Sequence, residues 1–81
     1  MNIKLSRLRN IYIDGRRTSI RIEDAYWNAL QQIARRSSQS VHDLCSSIYR
    51  RKMGSLSAEI RLFVLATLQR EVDQRQQQAE L

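Results

Sequence analysis

Proline is absent from the sequence, and glycine occurs only at positions 15 and 54. A chain so poor in turn formers favours helix over loops. A single cysteine, Cys45, excludes an intrachain disulfide. No apolar run approaches the roughly 18 residues that a membrane span needs, and the N-terminus lacks the apolar core of a secretory signal. The protein is expected to be soluble and cytoplasmic, with no membrane partner. The constellations that carry catalysis are missing too. There is no glycine-rich phosphate loop, no Ser/His/Asp set and no paired carboxylates. His42 is the only histidine, and no Cys, Asp or Glu cluster stands near it at ligand spacing. Neither enzymatic activity, a metal site nor a cofactor is expected.

What is present is positive charge, unevenly placed. The net charge is +6. Residues 1–21 hold Lys4, Arg7, Arg9, Arg16, Arg17 and Arg21 against Asp14 alone, whereas the rest of the chain is nearly balanced. A localised basic excess points to a polyanion, nucleic acid before an acidic membrane surface. With 81 residues the chain is one domain, and helical protomers this small often complete their core with a partner.

Residues 1–10 are basic and weakly patterned, and are read as a mobile arm. Two alternating runs follow on either side of Asp14-Gly15, a pair that favours a hairpin through a type I′ turn. In that register Ile11 and Ile13 share a face with Thr18 and Ile20. Residues from Glu23 to about Ser37 form a helix whose stripe is Tyr26, Trp27, Leu30, Ile33 and Ala34. Ser40-x-x-Asp43 opens a second helix in the manner of a capping box, with Val41, Leu44, Cys45 and Ile48 as its stripe. Gly54 suits the left-handed position that ends it. Ser57 is expected to cap a third helix. Residues 62–65 of that helix are apolar nearly all round, which predicts burial on more than one side, either within its own subunit or against a partner. The polar tail from residue 74 is expected to fray. There are no internal repeats and no interdomain linker.

The run Arg17-Thr18-Ser19-Ile20-Arg21-Ile22 alternates. Thr18, Ile20 and Ile22 face one way and Arg17, Ser19 and Arg21 the other. A lone strand leaves its backbone groups without partners. A second copy paired antiparallel across a two-fold axis would supply them. The apolar faces would then cover a shared core of Ile20, Ile22, Trp27, Leu30, Ile33, Leu44 and Ile48. The basic faces would form a two-stranded ribbon, which fits the major groove of double-stranded DNA, where Arg binds guanine O6 and N7 as a bidentate pair.

Strand, helix, short connection and capped helix resemble the ribbon-helix-helix DNA-binding proteins, such as the Arc and methionine repressors. The resemblance covers roughly residues 16–53. It rests on "SIRI" for the ribbon, "LQQIARRSSQSVHDL" for the helix–turn–helix stretch and Ser40-Val41 for the start of the second helix. "RRTSIRIEDAYWNALQQIA" with the later "LSAEIRLFVL" looks like a subgroup with an added C-terminal helix. The resemblance implies a mainly α fold, with one short strand pairing across a homodimer and a third helix. It divides the chain into a basic arm with a possible extra strand (1–15), the ribbon-helix-helix core (16–54), and a C-terminal helix with a polar tail (55–81). It implies base contacts by Arg17, Ser19 and Arg21, and phosphate binding at the start of the second helix by Ser40, Val41 and His42, where free amides and the helix dipole favour an anion. Arg16, Lys4, Arg7 and Arg9 are further candidates for phosphate. Two departures stand out. Ser38 occupies the place where many members carry Gly, and the ribbon's Arg-Ser-Arg does not transfer a base preference. If residues 10–13 pair with 17–20, the sheet becomes wide for the groove, and the arm is expected to lift away or to lie along the backbone with Arg7 and Arg9 on phosphates.

Tyr26 and Trp27 could stack on bases, but their spacing with Leu30 and Ile33 assigns them to the core. Cys45 reads as a small core residue. The reading is a homodimeric DNA-binding transcriptional repressor. A different class stays open: an antitoxin-like or phage regulator that docks a protein partner through the third helix, a surface that could also join dimers into a higher oligomer.

Overall fold

A computed structural model of the protein describes residues 6–51 and 53–79. The order is β1 (Ser6–Ile13), β2 (Arg16–Glu23), α1 (Asp24–Arg36), α2 (Val41–Arg50) and α3 (Leu56–Ala79). The two strands form one antiparallel hairpin, and the helices pack on one of its faces. No helix among the described residues is long and apolar enough to cross a membrane.

The hairpin follows from its turn. Asp14 and Gly15 have φ of 51° and 84°, the two positive values that a type I′ turn requires. Side chains directly opposite one another share a face. The register pairs Ile11 with Thr18 and Arg9 with Ile20 on the helix side, and Tyr12 with Arg17, Asn10 with Ser19 and Leu8 with Arg21 on the outer side. The strand at 16–22 therefore has a ladder partner within its own chain.

The expected arm is also changed. Residues 6–10 belong to β1, and Ile11 and Ile13 are 0% and 5% exposed. Lifting β1 away would return both to water, at about 1.5–3 kcal/mol for each side chain. Through Ile11 and Ile13, β1 is part of the core. Residues 1–5, Lys4 among them, lie outside the described residues.

The core joins Ile11, Ile13, Ile20 and Ile22 of the hairpin to Leu30, Ile33 and Ala34 of α1. Leu44, Cys45 and Ile48 of α2 and Leu56, Ile60 and Val64 of α3 complete it. Tyr26, Trp27, Val41 and Phe63 pack against it, partly buried. Burial pushes the Cys45 thiol up to about 11.

The helix ends explain the connections. Ser38 sits at φ 57°, while the Gln39 N–H donates to the Ala34 carbonyl and the Ser38 N–H to that of Arg35, at 3.0 and 3.2 Å. This is a Schellman ending with serine in the left-handed position that glycine usually fills. The Ser40 hydroxyl accepts the Asp43 N–H at 3.0 Å, as the capping pattern predicts. Gly54 does not end α2. The helix stops at Arg50, Arg51 follows at φ −104°, and Gly54 is not among the positive-φ positions.

The cap of α3 is Ser55, whose hydroxyl accepts the Ala58 N–H at 3.2 Å. Ser57, expected in that role, falls inside the first turn and donates instead to the Arg21 carbonyl at 3.0 Å. The third helix buries one side only, leaving Leu62, Leu65, Leu68 and Val72 exposed. It continues as helix to Ala79, where fraying was expected.

Candidate nucleic-acid interface

The alternation of β2 sends Ile20 and Ile22 into the core and leaves Arg17, Ser19 and Arg21 exposed in a row on the opposite face. Beside them on β1 stand Leu8, Asn10 and Tyr12, also exposed. The Ser19 hydroxyl donates to Asn10 Oδ1 at 2.9 Å. Two strands about 4.8 Å apart are narrow enough to enter a groove about 12 Å wide.

The nearby carboxylates are already occupied. Asp14, just before β2, pairs with Arg50 of α2 at 2.9 Å. Glu23, at the end of β2, pairs with Arg61 of α3 at 2.8 Å, and that bond holds the Glu23 carboxyl below its ordinary range and the Arg61 guanidinium above its own. Asp24 takes both Arg7 and Arg9. Among the described residues, no carboxylate pairs with Arg16, Arg17 or Arg21. Part of the sheet's outer face is therefore a row of uncompensated guanidinium groups.

The N-terminus of α2 lies along the free edge of β1. The Tyr12 N–H donates to His42 Nδ1 at 3.1 Å, the Asp14 N–H to Ser46 Oγ at 3.1 Å, and the Tyr12 and His42 rings meet edge-on at 5.5 Å. The structure thus brings His42, at the start of the second helix, to the border of the basic face. Ser40 is exposed with its hydroxyl committed to the cap, and Val41 is half-buried against the core.

Other candidates fall elsewhere. Arg16 is exposed at the turn end of β2. Arg7 and Arg9 have the opposite parity and lie on the helix side. Both bind Asp24, and the Arg9 guanidinium also covers the Trp27 ring at 5.0 Å. They are fold contacts, and their place among the phosphate candidates is withdrawn. Arg16, opposite Ile13, shares that parity, but no carboxylate among the described residues pairs with it. Of the residues expected to form a shared core, Ile20, Ile22, Leu30, Ile33, Leu44 and Ile48 are buried by the chain itself, and Trp27 is half-buried under Arg9.

Asn10 and Tyr12 were missed as members of the outer face. The signal was available. A two-residue turn at Asp14-Gly15 fixes Asn10 opposite Ser19 and Tyr12 opposite Arg17. Among the described residues, no cluster of three or more His, Cys, Asp or Glu is placed to hold a metal ion.

A family model described as "Ribbon-helix-helix domain" matches residues 6–68, most of the chain and all of the hairpin. Searches of the curated proteins and of the solved structures returned no match.

Proposed function

The chain belongs to the ribbon-helix-helix domain family of DNA-binding regulators, and from that premise we propose that it is a homodimeric, sequence-specific transcriptional repressor that sets the outer face of its ribbon into the major groove. One observation carries this reading. Arg17, Ser19 and Arg21 stand exposed in a row, and the carboxylates around them are bound by other arginines. Uncompensated guanidinium groups on a narrow ribbon suit a polyanion that offers acceptors at its base edges.

Arg17 and Arg21 each take a guanine, at about 1–3 kcal/mol of discrimination per bidentate pair. Ser19 contributes a hydroxyl between them. Arg16 binds phosphate at the turn end of the ribbon, and the first turn of α2, at Ser40, Val41 and His42, receives a phosphate at its border. Two-fold symmetry of the dimer predicts an operator built as an inverted repeat.

The test is an electrophoretic shift of the DNA upstream of the protein's own coding region, with unrelated competitor present. Wild type should shift that DNA in preference to competitor, and the Arg17→Ala/Arg21→Ala variant should not. Equal shifting of every DNA by both proteins would leave only an electrostatic footprint.

A second reading is favoured by the exposed stripe of Leu62, Leu65, Leu68 and Val72 on α3. Apolar side chains gathered on one helix suit a protein partner or a further copy. Under that reading Leu65→Asp abolishes function and leaves DNA binding intact.

A further inference from the structure

The two edges of the hairpin differ. Along β1 the Tyr12 and Asp14 N–H groups are held by His42 and Ser46 of α2, which closes that edge. Along β2, among the described residues, only the Arg21 carbonyl has a partner, the Ser57 hydroxyl. Backbone groups on one edge of an antiparallel strand belong to alternate residues, so those of Arg17 and Ser19 point to the same open edge. A second copy of the chain completes its ladder there. The sheet of the dimer then has four strands, with the two β2 strands at its centre and a β1 on each flank.

We infer that the outer row of β1 grips DNA phosphates at the rim of the major groove, with Tyr12 and Asn10 as the donors. The inference rests on the homodimeric DNA reading proposed above, and it gives the flanking strand a binding role of its own.

Dimensions carry the inference. Strands about 4.8 Å apart place each β2 about 2.4 Å, and each β1 about 7.2 Å, from the two-fold axis. A groove about 12 Å wide has its walls about 6 Å from the middle. The two β2 strands therefore fit between the walls, where base edges lie, and each β1 comes to rest over a wall, where phosphates lie. Ile11 and Ile13 hold β1 in the core, so it meets the wall instead of turning aside.

The side chains fit that place. Leu8, Asn10 and Tyr12 are exposed on the outer side, and none carries a negative charge that would repel the backbone. Asn10 Oδ1 accepts the Ser19 hydroxyl at 2.9 Å, which orients the amide and leaves both N–H groups of Nδ2 as donors. The Tyr12 ring rests edge-on against His42, beside the first turn of α2, and its phenol O–H has no acceptor among the described residues. Phosphate oxygens take donors of both kinds. Being neutral, these donors add affinity without sequence information and without releasing counterions of their own.

The experiment compares wild type, Tyr12→Phe/Asn10→Ala and Arg17→Ala/Arg21→Ala, with each fold checked by circular dichroism. Binding sites are selected from a random duplex pool, and affinities for the wild-type site and for a random duplex are measured across salt concentrations. Tyr12→Phe keeps the ring against His42, and Asn10 is exposed, so the first variant should fold as wild type does. The expected result is that Tyr12→Phe/Asn10→Ala selects the wild-type motif, binds both duplexes at least about tenfold more weakly and keeps the wild-type salt slope. Unchanged affinity, a flatter salt slope or a motif altered at any position, with the motif lost by the arginine variant, overturns the rim contact and leaves the base reading by β2 standing. A motif kept by the arginine variant, or no motif from wild type, overturns the base reading of the face and this inference with it.

Discussion

The backbone N–H of Tyr12 donates to His42 Nδ1 across 3.1 Å, joining the outer edge of the hairpin to the first turn of α2. Sheet and helix would otherwise meet with an unpaired edge donor at the rim. His42→Ala should cost about 1 kcal/mol of stability, the usual net worth of one such bond, read from the urea midpoint. No shift of the midpoint would mean that water replaces the imidazole without penalty. Because His42 borders the basic face, the same substitution should weaken binding to all DNA sequences about equally.

Adjacent residues of β1 should respond very differently to truncation. Ile11 is fully buried, whereas Tyr12 is half-exposed on the outer face. Ile11→Ala should destabilise the fold by about 2–5 kcal/mol, and Tyr12→Ala by far less. Urea denaturation of the two variants checks this. Similar, small losses would mean that residues 6–13 are an arm resting on the core rather than part of it.

The hairpin shows what the sequence could and could not disclose. Asp14-Gly15 signals the turn by local backbone preference, and the register of every β1 and β2 residue follows from it. The face of Arg17, Ser19 and Arg21 is legible for the same reason, since alternation is a property of the strand alone. The capping pattern at Ser40 is equally local. The fate of Arg7 and Arg9 was not legible, because their partner Asp24 and the Trp27 ring are reached only through the fold. The start of α3 was misassigned because Ser55 and Ser57 are both good caps, and only the bond from Ser57 to Arg21 separates them. Gly54 misled because the chain turns at Arg51 without a positive φ.

Ser38 holds a left-handed backbone at φ 57°, a conformation that costs a non-glycine residue about 1 kcal/mol or more. Ser38→Gly should therefore stabilise the protein, by up to ~1 kcal/mol, although glycine's freer unfolded chain takes back part of the gain. Thermal unfolding checks the sign. A lower melting temperature would mean that the serine side chain supplies more than the strain removes.

The Glu23–Arg61 pair ties β2 to α3, and Glu23 has its carboxyl depressed by that bond. A depressed carboxylate contributes stability above its ordinary value of 4.5, and the contribution is lost as the pH falls below it. The acid limb of the stability profile should flatten in Glu23→Gln, modestly because the pair lies near the surface. Stability measured by urea between pH 3 and 7 reads this. Identical acid limbs would place the loss in other carboxylates.

The central claim is that the outer face of β2 reads bases and does more than attract phosphate. The most direct measurement is the affinity of wild type and of Arg17→Ala/Arg21→Ala for a preferred duplex and for a random one, by fluorescence anisotropy at several salt concentrations. The ratio of the two affinities should fall at least about thirtyfold in the variant, as the loss of two arginine–guanine pairs requires. Affinities that drop together, with the ratio unchanged and a shallower salt dependence, would reduce these arginines to counterions of the backbone and contradict the claim.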